Sequence, residues 1–106
     1  MRLTQEEQKK IIAAINSFVQ ERSAELRLYG SRADDQQKGG DIDLLLLLQD
    51  KNDASILLSE KHKILAAIKE KIGDQKIDLK ITDRKATQQD SFLRLILPKS
   101  ILLHVW

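Results

Sequence analysis

The 106-residue chain contains no cysteine, which excludes a disulfide scaffold, a thiolate nucleophile and any cysteine-ligated zinc or iron–sulfur centre. An intracellular, cytoplasmic setting is the expectation that follows. A single proline and four glycines leave no Pro- or Gly-rich linker, and no internal repeat is visible. Charge of one sign is also missing: eighteen Lys and Arg nearly balance sixteen Asp and Glu, for a net +2. That balance lacks the basic excess behind non-specific nucleic-acid binding, so no direct nucleic-acid contact is expected. No apolar run approaches the roughly 18 residues of a membrane span, and Met1-Arg2-Leu3-Thr4-Gln5-Glu6 lacks the apolar stretch of a signal peptide. The expectation is a soluble, unprocessed single domain over residues 1–106, short enough that small domains of its kind often lean on a partner.

The apolar residues present, 42% of the chain, fall into clear patterns. Thr4 with Glu7 three residues later forms a capping box, and Ile11, Ile12, Ile15, Phe18 and Val19 follow at helical spacing, predicting a first helix. Glu25-Leu26-Arg27-Leu28-Tyr29 alternates with period two and stops at Gly30-Ser31, predicting a half-buried strand and a turn. A loop over residues 30–40 leads to Asp41-Ile42-Asp43 and five consecutive leucines, read as a central strand over 41–48 with both faces covered. Asp53 is expected to cap a helix from Ala54 to about Ile72, with Ile56, Leu57, Ile64, Leu65, Ile68 and Ile72 inward and Gly73 at its end. Ile77, Leu79 and Ile81 alternate with Asp78 and Lys80 in a third strand, which turns Asp78 away from the isoleucines. A helix from about Gln88 to Leu97, stopped by Pro98, and a strand over 101–105 complete an α/β chain.

Two carboxylates at i and i+2 of one strand, Asp41 and Asp43, project from the same face about 7 Å apart at Cα. With the third strand beside the second, Asp78 joins them. Three clustered carboxylates repel unless divalent cations neutralise them. Magnesium completes its octahedron with water and substrate phosphates, so a three-Asp site without His or Cys points to phosphoryl or nucleotidyl transfer. Upstream, Gly30 lets backbone N–H groups approach an anion, while Ser31 and Arg32 add donors, the arginine as a bidentate fork. The loop residues Asp34 to Lys38 read as solvated, and His62 and His104 as exposed residues outside the chemistry. The dense apolar stretch from Phe92 to Trp106 reads first as core and second as a surface for a partner or for oligomerisation.

Gly30-Ser31, nine intervening residues, Asp41-Ile42-Asp43 on a strand and Asp78 on the next resemble the nucleotidyltransferase superfamily that includes DNA polymerase β. The closest likeness is to the minimal nucleotidyltransferases (MNT), including the antitoxins of HEPN/MNT toxin–antitoxin pairs. The family usually places ten residues in that interval, and Gly40 stands where a serine is common. The resemblance runs from the first helix through Asp78. It implies a palm-like α/β fold, a mixed β-sheet flanked by α-helices. It also implies that Asp41, Asp43 and Asp78 hold two Mg²⁺ ions, with Asp78 helping to deprotonate the acceptor hydroxyl. Gly30, Ser31 and Arg32 would bind the nucleotide phosphates.

The activity so implied is transfer of a nucleoside monophosphate, AMP from ATP, to a hydroxyl with release of pyrophosphate. The acceptor implied is a tyrosine of a small helical HEPN toxin, which makes the chain an antitoxin. Two alternatives stand beside it: a non-catalytic antitoxin that acts by occlusion, and a small-molecule nucleotidyltransferase of the antibiotic-modifying kind that needs a second subunit.

Overall fold

The computed structural model describes residues 3–30 and 41–106. The chain begins with helix α1 (Gln5–Val19), where the Thr4 hydroxyl accepts from Glu7 N at 3.0 Å and the Glu7 carboxylate accepts from Thr4 N at 3.1 Å. Both bonds of the expected capping box are present, so two orphan N–H groups of the first turn are satisfied. Strand β1 (Ala24–Tyr29) follows, then β2 (Ile42–Leu48), which pairs with it antiparallel. The crossover to β3 (Ile77–Asp83) passes through α2 (Lys51–Ser59) and α3 (Lys61–Ile72), because a strand laid parallel to β2 cannot be reached by a hairpin. Helices α4 (Arg84–Gln89) and α5 (Ser91–Ile96), a 3₁₀ turn over Leu97–Lys99 and strand β4 (Ile101–Val105) close the chain.

The sheet order is β3-β2-β1-β4, with β4 antiparallel to β1, so the sheet is mixed and flanked by helices as expected. One face carries Ala24, Leu26, Leu28, Ile42, Leu44, Leu46, Leu48, Leu79 and Ile81 against Ile11, Ile15 and Val19 of α1, Ala54 and Leu57 of α2, and Ile64 and Ile68 of α3. On the other face Leu45 and Tyr29 pack against Leu93, with Ile96 and Leu97 alongside. Leucine is an undistinguished strand former, yet all five of β2 are buried because both faces are covered. A one-residue slip of β2 would exchange one leucine set for the other and turn Asp43 towards the apolar face, so the aspartate rather than the leucines distinguishes the two faces.

Two expected helices divide. The stretch expected as one helix over 54–72 breaks at Glu60, whose N–H bonds the carbonyls of Leu57 and Leu58, and the N-cap is Asp50, not Asp53. A nine-residue α2 buries only one stripe, taken by Ala54 and Leu57, so Ile56 stands outside the core at 43% exposure. The expected 88–97 helix is α5 together with the last two residues of α4, a helix that begins at Arg84 and was not expected; each is started by an aspartate, with Asp83 Oδ1 accepting from Ala86 N at 3.1 Å and Asp90 Oδ1 from Phe92 N at 2.8 Å. Among the described residues no helix is long and apolar enough to cross a membrane.

Candidate active site

The parallel register of β2 and β3 sets Asp43 directly across from Asp78, while the antiparallel register of β1 and β2 sets Tyr29 across from Asp43. Paired residues share a face of the pleated sheet, so Tyr29, Asp43 and Asp78 form a row across three strands. The Tyr29 hydroxyl donates to Asp78 Oδ2 at 3.4 Å. Asp41 lies one residue before β2, on the same alternation as Asp43, and its carboxylate pairs with Lys76 Nζ at 3.7 Å. That pair is exposed on both sides and so holds Asp41 only weakly.

The electrostatics of the row are unfavourable as it stands. Burial pushes the Asp43 carboxyl above the usual carboxylate range, and the Asp78 and Asp41 carboxylates push it further, against an opposing pull from Lys80. Burial, then the Asp78 and Asp43 charges, raise the Tyr29 phenol well above its ordinary value, so it remains a protonated donor at neutral pH. At the end of β1, Gly30 has φ +76° and sits against the Asp43 carboxylate. A Cβ there would overlap Asp43 Oδ2 and stand 3.2 Å from its Cγ, so only glycine leaves the carboxylate where it is. Ser31 and Arg32, the other expected phosphate contacts, lie outside the described residues.

Among the described residues no group of three or more acidic or imidazole side chains is drawn close enough to hold a metal ion as it stands. The donor set nevertheless suits a hard cation. Carboxylate oxygens in register on adjacent strands, one of them raised in pKa by burial and then by its acidic neighbours, are relieved by positive charge, and among the described residues Asp41 pairs only with a surface lysine.

Three participants escaped the sequence reading. Tyr29 was visible there as a strand residue; its place in the row follows from the period-two alternation once the register with Asp43 is known. Phe92 of α5 meets the Tyr29 ring edge-on, with centroids 6.2 Å apart, and Lys80 Nζ lies 5.0 Å from the Phe92 centroid. Nothing in the local sequence links residue 92 to residue 29, because α5 reaches the sheet only through tertiary packing. His62 is exposed as expected, whereas His104 is half-buried, its ring 4.6 Å from that of Trp106.

A mixed four-stranded sheet carries opposed carboxylates on its parallel pair, central β2 and edge β3, with a glycine turn beside them. The family described as "Nucleotidyltransferase domain" matches residues 8–100, a span that includes Gly30, Asp41, Asp43 and Asp78. The chain belongs to that nucleotidyltransferase domain family. No curated protein and no solved structure matches it.

Proposed function

We propose that the chain transfers AMP from ATP to a hydroxyl, releasing pyrophosphate, and that the acceptor is a tyrosine of a small helical HEPN-type toxin that the chain thereby neutralises in the cytoplasm. Membership of the nucleotidyltransferase family supports transfer of a nucleoside monophosphate in general. The likeness to minimal nucleotidyltransferases supports the rest. The observation that carries the reading is the Asp43–Asp78 opposition, with Gly30 held against Asp43.

In this reading Asp43 and Asp78, with Asp41 once it leaves Lys76, hold two Mg²⁺ ions. Bound there, the ions would neutralise charge on the triphosphate and on the departing pyrophosphate. The residues of the chain do the rest. Gly30, Ser31 and Arg32 bind the β- and γ-phosphates and orient the α-phosphorus. Asp78, exposed at the outer strand, takes the proton of the acceptor hydroxyl as its oxygen attacks that phosphorus. Tyr29 keeps the Asp78 carboxylate aimed.

The test uses ATP labelled at the α-phosphate with Mg²⁺ and a co-purified partner or host lysate. Label on one protein, absent with Asp43→Asn and after EDTA, establishes the reading. A second reading, occlusion without catalysis, is favoured by exposed apolar side chains near the C-terminus, Leu95 at 65% and Val105 at 59%. It is established instead if partner neutralisation survives Asp43→Asn.

A further inference from the structure

The row of site residues ends at an open edge. Strand β3 pairs with β2 on one side, and on its other side no strand pairs with it among the described residues. Along that edge runs a groove of about 250 Å³. It is lined by Lys80, Ile81 and Thr82 of β3, by Leu58 and Lys61 at the junction of α2 and α3, which cover one face of the sheet, and by Phe92 of α5, which covers the other. Leu58 and Phe92 are 52% and 44% exposed, so each wall offers an uncovered apolar side chain. Lys61 and Lys80 form no ion pair among the described residues, and the Asp90 carboxylate beside them is already taken up by the N–H groups of Phe92 and Leu93. The groove is therefore apolar on both walls, cationic in charge and lined by an unpaired strand.

We infer that the acceptor is an extended polypeptide segment that adds to the free edge of β3 as a fifth strand and thereby presents a side-chain hydroxyl to Asp78. The inference rests on the transfer reading of the site given above, and it identifies the class of substrate that site receives.

Strand geometry fixes what such a segment must contain. An added residue opposite Asp78 shares its face of the sheet, because pleated neighbours point the same way. Its hydroxyl lies on the side where Asp43 and Asp78 stand, opposite the Gly30 side where the triphosphate is held. Two residues along the segment, a side chain opposite Lys80 returns to the same face and meets that ammonium beside Phe92, which calls for Asp or Glu. One residue further, the position opposite Ile81 points to the other face and reaches Leu58, which calls for an apolar side chain. Antiparallel pairing is the more stable arrangement per residue. The acceptor hydroxyl therefore stands two residues C-terminal to an acid and three C-terminal to an apolar residue. Main-chain bonds along the edge would supply affinity and the alternating side chains specificity. The transfer balances as before: the hydroxyl oxygen bonds to the α-phosphorus, the bond to the pyrophosphate breaks, and the hydroxyl proton passes to Asp78.

The experiment offers wild-type chain, Mg²⁺ and α-labelled ATP to the peptide Thr-Leu-Glu-Thr-Tyr. Three comparison peptides carry Lys in place of Glu, the reversed order, or methylated backbone nitrogens. The expected result is label on the first peptide, about tenfold less on the Lys form and the reversed form, and none on the N-methylated one. In Lys80→Glu the ratio between the Glu and Lys peptides inverts; the ratio is taken within one variant, so a general loss of activity cancels. Equal labelling of the Glu and Lys peptides, or undiminished labelling of the N-methylated one, overturns edge pairing. Label on RNA ends or free nucleosides with none on any peptide overturns the polypeptide acceptor while leaving transfer intact. A wild-type chain that binds neither Mn²⁺ nor ATP removes the transfer reading, and this inference with it.

Discussion

Asp43 and Asp78 are register partners on adjacent parallel strands, so two carboxylates share one face of the sheet, and among the described residues no ion pair joins either of them to a cation. Like charges directly opposed across a sheet are destabilising by up to about 1 kcal/mol. Asp43→Asn is therefore expected to raise the melting temperature of the metal-free chain, by roughly 4 °C for a domain of this size, and to abolish transfer. The pH dependence has a definite sign. A carboxyl whose folded pKa lies above its unfolded value destabilises the fold once both states are ionised, and that penalty disappears as pH falls through the folded pKa. The thermal advantage of Asp43→Asn should thus be largest at neutral pH and vanish through the carboxylate range, as read by melts at a series of pH values. An Asn variant less stable than wild type at pH 7 would contradict the account.

Gly30→Ala should fail for a local reason. A left-handed backbone costs an L-residue about 1–2 kcal/mol, and the new methyl would displace the Asp43 carboxylate. Loss of stability in that range is expected by urea unfolding, together with loss of Mn²⁺ affinity beyond what unfolding explains. By contrast, alanine at Gly73, which also has positive φ but meets no heavy atom within 4 Å, should cost stability alone.

Much of this site was legible in the sequence because two carboxylates at i and i+2 on a strand, and a glycine ending the preceding strand, are local signals. The strand alternation that turns Asp78 away from Ile77 and Ile81 also held, as those residues and Leu79 belong to the opposite face. What the sequence could not carry was register. Whether Asp78 meets Asp43 or a residue two positions away is decided by the crossover through α2 and α3, and its period-two pattern is identical in either case. The broken helices had a different cause: apolar residues recur on both sides of Glu60, so periodicity joined α2 to α3, while the polar run before Phe92 carried no apolar signal to place the start of α5. Asp90 accepts backbone N–H groups and starts α5 afresh, whereas α3 has no side-chain cap and the break before it lies in the backbone, where the Glu60 N–H turns back to the Leu57 carbonyl.

Tyr29→Phe removes one oxygen and keeps the ring against Phe92. The phenol stays protonated, so its role toward Asp78 is that of a donor holding a carboxylate in place. Groups that orient metal-holding carboxylates typically cost 10- to 100-fold in metal affinity or activity when removed. A fall of about tenfold in Mn²⁺ affinity and in transfer is expected, with unfolding stability within about 1 kcal/mol of wild type. Unchanged Mn²⁺ binding by electron paramagnetic resonance would reduce Tyr29 to a packing residue.

The far end of the same sheet face holds the structural counterpart of the site, with the opposite electrostatic outcome. Glu25 is buried, and its carboxylate is shared by Arg84 and by Arg27, whose Nη2 lies 3.5 Å away. Arg27 Nη1 donates to the Ser100 hydroxyl at 3.1 Å, and the buried Arg27 Nε has no partner among the described residues. Here the charges are paired within the chain, so this cluster is expected to stabilise the fold without binding a ligand. Glu25→Ala strands the Arg27 guanidinium in a poorly hydrated place and should cost about 3 kcal/mol, in the range for breaking a buried pair. Arg84→Ala leaves Glu25 still paired with Arg27 and removes a half-exposed side chain, so about 1 kcal/mol is expected. Urea unfolding of the two variants gives the comparison directly. Equal costs would mean that Arg84, not Arg27, carries the pairing with Glu25.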